Sequence, residues 1–151
     1  MSNPKVHQSK KGVPSDEMVI TMHPDSETMT RQNLPYIVGV TNKTCGSRAL
    51  SMNMVVIPPG GKARPHYHNG YETAVYIVSG KVETRYGIGL KQSVINKAGD
   101  FLYIPANVPH QPVNLSQTEP VGVIDDNRIG RREVKPGFDN RRGYKHVYFP
   151  A

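Results

Sequence analysis

Residues 58–80 read PPGGKARPHYHNGYETAVYIVSG, and residues 98–114 read AGDFLYIPANVPHQPVN. Glycine and proline divide both segments at short intervals, which is typical of strands joined by tight turns. Successive side chains of a strand point to opposite faces, so His66 and His68 project to the same side. Two histidines placed in this way begin a candidate metal site, and the rest of the chain is interpreted around them.

Two further residues complete the candidate site. The turn signal at Asn69-Gly70 can redirect the chain and bring Glu72 onto the side used by the histidines. His110 arrives from the second segment, directly after Pro109. Imidazole together with carboxylate suits iron, manganese, nickel, zinc or copper, and positions left to water would leave room for a substrate. The four residues therefore predict a divalent transition-metal site.

Short apolar runs lie within and around these segments. They are Met18–Met22, Tyr36–Val40, Ala49–Ile57, Thr73–Val78, Phe101–Ile104 and Val121–Ile124. Between them, residues 81–86 alternate polar and apolar side chains, which marks a strand with one face in water. No amphipathic helix is evident. Many short strands at near-regular spacing predict an all-β sandwich or barrel.

Composition limits the possible functions. The chain has 151 residues, enough for one domain with a core, and a formal net charge of +7. The basic segment 128–145 has few aromatic residues that could stack on bases, so nucleic-acid binding is not expected. No apolar run is long enough for a transmembrane helix, and no signal peptide is evident. Cys45 is the only cysteine, which excludes an intrachain disulfide and favours a cytoplasmic location.

The two segments also carry the residues of two known motifs. The first motif is met by Gly60, His66, His68, Glu72 and Gly80. The second is met by Gly99, Pro105, Asn107, His110 and Asn114. In this order and spacing, residues 49–125 resemble the cupin family. Asn107 replaces a glycine of the family, a mild exchange because asparagine is common in left-handed turns.

The cupin resemblance implies a double-stranded β-helix barrel, a jelly-roll-like fold, with a metal inside. It implies His66, His68, Glu72 and His110 as ligands. Family members often carry the glutamate one residue later, where this chain has Thr73. If Glu72 instead points outward, three histidines and water would hold the metal.

The chain is predicted to divide into three parts. Residues 1–17 are polar and predicted to be a flexible tail, 18–127 the barrel, and 128–151 a basic extension that packs on it. A barrel leaves edge strands, and Met18–Met22 and Tyr36–Val40 could cover the edge of a second copy. The sequence therefore predicts a homodimer.

Further residues are candidates for the pocket. Tyr76 lies four residues after Glu72 and shares its face on a regular strand, so both are candidate catalytic residues that could transfer a proton. Arg48 and Arg64 could bind a substrate carboxylate or phosphate at the barrel mouth.

The strand Phe101–Ile104 supplies two alternative pairs of cavity residues. Phe101 and Tyr103 share one face, and Leu102 and Ile104 share the other. Alternation alone leaves open which pair lines the cavity. Phe101 and Tyr103 are the candidate substrate contacts.

The resemblance opens several reactions on a small polar molecule. An iron site with open positions would bind oxygen and a chelating substrate together, which predicts a metal-dependent dioxygenase. Alternatives are a metal-dependent isomerase of a sugar or keto acid and a non-catalytic, metal-dependent binding protein. Iron is the expected metal, with manganese, nickel, zinc and copper as alternatives.

Overall fold

The fold is given by a computed structural model, which describes residues 19–24, 28–29 and 34–127. Within those ranges the chain forms nine strands and one short helix. The strands are β1 (Thr28–Met29), β2 (Pro35–Val40), β3 (Met52–Ile57), β4 (Thr73–Ser79), β5 (Lys81–Tyr86), β6 (Gln92–Lys97), β7 (Phe101–Ile104), β8 (His110–Asn114) and β9 (Val121–Asn127). The helix α1 spans Asn42–Cys45, and a 3-10 turn at Ile88–Leu90 joins β5 to β6.

Two antiparallel sheets enclose the core. The larger sheet has the strand order β1-β2-β3-β9-β4-β7, and the smaller has the order β6-β5-β8. Isolated bridges from Lys62 to Val113 and from His66 to His110 lay the segment before β4 beside β8. The core consists of buried apolar side chains: Leu34, Ile57, Ala63, Ile77, Val82, Val121 and Val123. The all-β prediction is confirmed, and the two histidine segments lie side by side.

Two turns need residues that tolerate a left-handed backbone. Asn107 has a φ of 65°, the conformation expected where it replaces a glycine. Gly80, between β4 and β5, has a φ of 81°, and a Cβ there would lie 2.8 Å from a Val121 methyl group. These turns therefore set where β5 and β8 begin.

The predicted strand Tyr36–Val40 is confirmed as β2, whereas the predicted strand Met18–Met22 needs correction. Residues 19–22 form no strand, so the described part of Met18–Met22 does not supply an edge. Instead, Thr28–Met29 pairs with β2, which is also paired with β3. Because Thr28–Met29 pairs only with Pro35 and Tyr36, the role of Tyr36–Val40 in covering the edge of a second copy stays a prediction.

Strand β8 was not predicted, because Pro112 interrupts it. Proline cannot donate a ladder hydrogen bond and is confined to sheet edges or bulges. Here β8 closes the smaller sheet, where Pro112 pairs with Thr84 and its carbonyl accepts a hydrogen bond from the Ala63 N–H at 3.0 Å. Because β8 is at the edge of the smaller sheet, the strand can accommodate the missing N–H donor of Pro112.

The predicted tail, residues 1–17, and the predicted basic extension, residues 128–151, lie outside the described residues. The three-part division of the chain therefore stays a prediction. In the part of the chain that the structure describes, no helix is long and apolar enough to span a membrane.

Candidate metal centre

A pair of backbone hydrogen bonds joins the two histidine segments. The His66 N–H donates to the His110 carbonyl at 3.0 Å, and the His110 N–H donates to the His66 carbonyl at 2.8 Å. Residues directly opposite each other in an antiparallel pair hold their side chains on the same face. The two imidazole centroids accordingly lie 4.3 Å apart. The ladder therefore brings together two histidines that are distant in sequence.

His68 completes a triangle of imidazole rings. Its centroid lies 5.4 Å from that of His66 and 5.0 Å from that of His110. The His68 carbonyl accepts a hydrogen bond from the Asn107 N–H at 2.9 Å, and Asn107 Oδ1 accepts one from the Gly70 N–H at 3.0 Å. Asn107 thus ties the His68 loop to the loop before β8. One candidate ligand nitrogen from each ring lies within 4.8 Å of the other two.

Backbone carbonyls fix two of the rings in one tautomer. His66 Nδ1 lies 2.8 Å from the Arg64 carbonyl, and His110 Nδ1 lies 2.9 Å from the Val108 carbonyl. A carbonyl oxygen only accepts, so each Nδ1 must carry the proton and donate it. The Nε2 lone pair of each neutral ring is then available for a metal, the arrangement in which metal-binding histidines are usually oriented.

Burial keeps the three rings uncharged at neutral pH. It lowers the pKa of His68 to about 4 and that of His110 to about 3, with the neighbouring His66 as the second cause in each case. It also lowers the pKa of His66, although the hydrogen bond to the Arg64 carbonyl opposes this. Neutral imidazole is the form that binds a metal. The donor set therefore fits a divalent transition metal held by His66, His68 and His110.

A cavity of about 270 Å³ adjoins His110. Tyr86, directly opposite His110 in the ladder of β5 and β8, contributes a phenol to its lining. Thr84 lies two residues before Tyr86 and also lines the cavity. The rest of the wall is largely apolar and includes Val94, Leu102, Ile104, Pro105 and Val108. No Asp, Glu, Lys or Arg is among the described residues that line it.

Residues 53–125 match the family model of the cupin domain. The chain carries a cupin domain. Within this cupin, the three histidines lie at the positions that the two motifs predicted for metal ligands.

Solved structures show the same fold in proteins of different function. A Cupin 2 conserved barrel domain protein from Salinispora arenicola is 21% identical, with a TM-score of 0.60 over 72% of this chain and 88% of its own. The polyketide cyclase RemF from Streptomyces resistomycificus is 16% identical, with a TM-score of 0.63 over 91% of this chain and 92% of its own. The oxalate decarboxylase from Lactobacillus farciminis is 21% identical, with a TM-score of 0.58 over 67% of this chain and 30% of its own. Identities this low show a shared fold alone, and no curated protein matches the sequence.

The last residue of the second cupin motif, Asn114, connects three segments of the barrel. Its Nδ2 lies 3.0 Å from the carbonyls of Ile57 and Pro58 and 2.8 Å from that of Glu119. Its Oδ1 accepts a hydrogen bond from the Ser116 N–H at 2.9 Å. The side chain is buried, so its role in this cupin is structural.

The prediction of Glu72 as a fourth ligand needs correction. Thr73 is buried and its Oγ1 forms a hydrogen bond with His68 Nδ1. Glu72 is exposed, lies outside the histidine group, and accepts a hydrogen bond at Oε1 from the Tyr103 hydroxyl at 2.6 Å. Since neighbouring residues of a strand point to opposite faces, the inward position of Thr73 turns Glu72 outward. The structure thus supports the three-histidine alternative.

The predicted roles of Tyr76 and Phe101 also need correction. Tyr76 does share the face of Glu72, but this face is directed away from the histidines. Tyr76 pairs with Phe101 in the ladder, and their ring centroids are 4.8 Å apart on the outside of the barrel. Phe101 is 80% exposed. Tyr103 is 60% exposed but also lines the cavity, so its contact with a substrate stays a prediction. The other pair, Leu102 and Ile104, has its side chains directed into the cavity.

The two candidate arginines are not brought together with the histidine group. Arg48 is exposed in the loop between α1 and β3. The Arg64 side chain is also exposed, although its carbonyl orients His66. Neither residue lines the cavity described above. A role for either in substrate binding stays a prediction.

The sequence did contain a signal for Thr84 and Tyr86. Both alternate with the charged residues of β5 and share a face with buried Val82. That pattern identified a strand with one wet face, but it did not show which elements lie across the cavity. Only the pairing of β5 with β8 places Tyr86 beside His110.

No pattern in the sequence indicated an inward-facing carboxylate, Asp125. Strand β9 continues beyond the predicted Val121–Ile124 and ends at Asn127. Asp125 pairs with Val75, and Val75 pairs with the cavity residue Leu102. Residues of one ladder row share a face, so half-buried Asp125 lies on the inner wall.

Two tyrosines lie near Asp125. Burial raises the pKa of Tyr36 and of Tyr71, and the negative charge of Asp125 is the second cause in both. The Tyr71 ring also stacks on His68, with centroids 5.1 Å apart. Tyr71 therefore contacts the histidine group, and the Asp125 carboxylate is near enough to Tyr36 and Tyr71 to act on their pKa.

Proposed function

We propose that the three-histidine centre binds divalent iron and that the protein is a dioxygenase of a small molecule held in the adjoining cavity. The observation that carries this proposal is a group of three neutral histidines, with ligand nitrogens within 4.8 Å of one another, beside a largely apolar cavity. Three protein ligands would leave coordination positions for both substrate and oxygen. A carboxylate at the outward position of Glu72 would not fill one of them.

Residues of the cavity would bind and orient the substrate. Val94, Leu102, Ile104 and Val108 would enclose its apolar part and exclude water. Tyr86, opposite His110, would donate a hydrogen bond to a polar group of the substrate. Bound iron would supply the redox chemistry with oxygen that these side chains lack. The contribution of the chain itself is thus to hold, orient and shield the reactants.

The lining narrows the class of substrate. A phosphate or a second carboxylate would need a cationic partner, and none is among the described lining residues. An oxygen-bearing chelating end directed at the histidines and an apolar body in the cavity would fit better. Catechols and enolisable diketones have this form, whereas sugar phosphates do not.

Iron analysis and oxygen consumption test this function directly. Protein purified without added metal is assayed with catechols, diketones, thiols and keto acids. We expect equimolar loss of oxygen and of one catechol or diketone, and no loss with His110→Ala protein or with zinc-loaded wild type. A fully iron-loaded protein that consumes no oxygen with any of these compounds would contradict the proposal.

Asp125 favours a second candidate, a metal-dependent isomerase or cyclase. Asp125 lies on the inner wall but outside the lining of the cavity beside His110, and a carboxylate there could accept a proton from a carbon next to a carbonyl that the metal polarises. The two candidates separate in D2O without oxygen. Proton transfer would be supported if solvent deuterium enters the substrate with wild-type protein. The Asp125→Asn protein should then keep its metal but no longer incorporate deuterium. Turnover that requires oxygen and survives Asp125→Asn would support the dioxygenase.

A further inference from the structure

The inner wall of the larger sheet changes from polar to apolar along one row of residues. The row crosses β3, β9, β4 and β7 and consists of directly opposed residues: Asn53, Asp125, Val75 and Leu102. Residues that oppose each other in a ladder share a face. Leu102 lines the cavity beside His110. Because neighbouring strands lie about 4.8 Å apart, Asp125 lies about 10 Å from Leu102 along the wall. The polar end of the row therefore belongs to the barrel interior but lies beyond the apolar cavity.

Two tyrosines accompany Asp125 on this side of the barrel. Tyr36 is directly opposite Val55, which packs against the core, so Tyr36 also belongs to the inner face. Tyr71 lies in the segment before β4, and the charge of Asp125 contributes to the raised pKa of both phenols. All three residues are only partly buried, so part of each is accessible. Tyr36, Tyr71 and Asp125 are called the polar group below.

The three histidines adjoin both environments. His110 lines the apolar cavity. The Tyr71 ring stacks on His68, with an angle of 14° between the ring planes and 5.1 Å between the centroids. The centroids of His68 and His110 are themselves 5.0 Å apart. A molecule that chelates a metal at the histidines could therefore extend in two directions, into the cavity and towards the polar group.

Asn53 shows how a polar residue of the same row serves the fold alone. It is 3% exposed, its Oδ1 accepts a hydrogen bond from the Gly39 N–H at 3.3 Å, and its Nδ2 donates one to Ser51 Oγ at 2.9 Å. These bonds support the irregular part of β2. Asp125 is half-buried instead, and a carboxylate has about four sites that accept hydrogen bonds. Asp125 is therefore the residue of this row that can accept a hydrogen bond from a ligand.

We propose that the polar group is a second substrate subsite, which binds a hydroxyl group of the substrate while the metal holds its chelating oxygens. The substrate class rests on the proposed function, because it assumes a chelating molecule such as an enolisable diketone. A hydroxyl group can donate a hydrogen bond to the Asp125 carboxylate and accept one from the phenol of Tyr36 or Tyr71. The polar group therefore offers partners for both the hydrogen and the oxygen of one hydroxyl group.

The two directions from the histidines narrow the substrate further. A β-diketone has its chelating oxygens in the middle of the molecule, so it can carry an apolar substituent on one side and a hydroxylated one on the other. A single-ring catechol has its chelating oxygens at one edge and reaches in one direction only. An asymmetric β-diketone with one apolar and one hydroxylated substituent therefore fits the cavity, the metal centre and the polar group together.

Binding to the zinc-loaded, full-length protein tests this subsite without any turnover. The probes are dibenzoylmethane and its derivative with one para-hydroxyl group, titrated in parallel by calorimetry. We expect the hydroxylated compound to bind wild type about tenfold to a hundredfold more tightly, because hydrogen bonds to a charged group have this strength. Asp125→Asn keeps the shape without the charge and should reduce the advantage to less than about tenfold. Asp125→Val should abolish it.

The matched control is Asp126→Asn, a change in the next residue of β9. Asp126 is opposite Ala74, on the outward face, and its Oδ1 accepts a hydrogen bond from the Ser51 N–H, which asparagine can also accept. This variant should keep the full advantage of the hydroxylated compound. Circular dichroism and zinc content check that each variant is folded and loaded.

Three results would overturn the proposal. They are equal binding of the two compounds to wild type, an advantage that survives Asp125→Val, and loss of the fold or of the zinc in both Asp125 variants. The last result would show that Asp125 supports the structure instead of binding a ligand.

These results are separate from the test of the dioxygenase. If zinc-loaded protein prefers the hydroxylated compound through Asp125, but iron-loaded protein consumes no oxygen, the subsite stands and the proposed reaction is wrong. If iron-loaded protein consumes oxygen with both diketones, but zinc-loaded protein binds them equally, the reaction stands and the subsite is overturned.

Discussion

Strands β4 and β7 present two faces that differ in role more than in composition. Their inward residues are Thr73, Val75, Leu102 and Ile104. Their outward residues are Ala74, Tyr76, Phe101 and Tyr103. Both sets are mainly apolar or aromatic, so residue type does not separate the cavity from the surface. What separates them is the position of each residue in the two-residue period of the strand, which decides whether its side chain faces the cavity or the surface.

The same one-residue difference decides the metal centre. Glu72 has the chemistry of a ligand but lies on the outward face, where Tyr103 holds it. Thr73 lacks a ligand carboxylate but lies inward, in contact with His68. A residue on the inner wall can contact the histidine group, whereas the side chain of its neighbour in the sequence lies on the outer surface. The following predictions test this division.

The largest effect is expected when a histidine of the inward group is removed. His66→Ala or His110→Ala should weaken metal binding by more than about a hundredfold, because loss of a supporting contact alone costs 10–100-fold. His23→Ala is the control, since His23 is exposed and outside the group. Competition with a chromophoric chelator measures the affinity. Unchanged affinity in both site variants would mean that the metal is bound elsewhere.

Adjacent residues of β4 should differ in their contribution to stability. Ile77 is 1% exposed on the inner face, and Val78 is 42% exposed on the outer face. Ile77→Ala should lower the free energy of unfolding by about 3 kcal/mol, because it leaves a cavity in the core. Val78→Ala should cost less than about 1 kcal/mol. Urea unfolding at equal protein concentration measures both, and similar costs would contradict the assigned faces.

Metal-free protein should lose stability as the pH falls. The pKa of His68 is about 4 and that of His110 about 3 in the folded state, both below the ordinary histidine value of 6.5. Between these values the unfolded chain binds more protons than the folded one, so acid favours unfolding. At pH 5 each histidine should cost about 1–2 kcal/mol relative to pH 7.

Urea unfolding of the metal-free protein across this pH range provides the measurement. Above pH 7 the histidine contribution should be constant, because both states are then neutral at these residues. Equal stability at pH 7 and pH 5 would show that the rings are not buried as described.

A smaller effect is expected from the contact between Thr73 and His68. Thr73→Val removes the hydroxyl and keeps the shape, so metal affinity should fall about tenfold through loss of the support for His68. Thr73→Ser keeps the hydroxyl and should retain most of the affinity. Isothermal titration with zinc measures both variants. If Thr73→Val and wild type bind zinc with equal affinity, the Thr73 hydroxyl does not support His68.

Much of the fold and the three histidines of the candidate metal centre could be predicted from the sequence. The spacing of His66 and His68 places them on one face, and the left-handed turn at Asn107 was expected from residue type. The face of Glu72 was not predictable, because it follows a turn at Asn69-Gly70 that has no fixed period. Local sequence determines where the strands form, whereas turn geometry determines which residues of each strand face inward.

Other residues of the site depend on contacts between distant segments. Tyr86 faces the cavity because β5 pairs with β8, a strand concealed by Pro112. Asp125 belongs to β9 although acidic residues usually end an apolar run, and its inward position follows from pairing with Val75. The inward positions of Tyr86 and Asp125 follow from strand pairing, which the local sequence does not determine.

The metal content of wild-type and Glu72→Gln protein, purified side by side without a tag or added metal, tests the central claim most directly. Three histidines without a carboxylate ligand should hold the metal, so mass spectrometry should find the same near-stoichiometric divalent transition metal in both proteins. Loss of most of the metal in Glu72→Gln, or a wild-type protein that holds no such metal, would contradict the account.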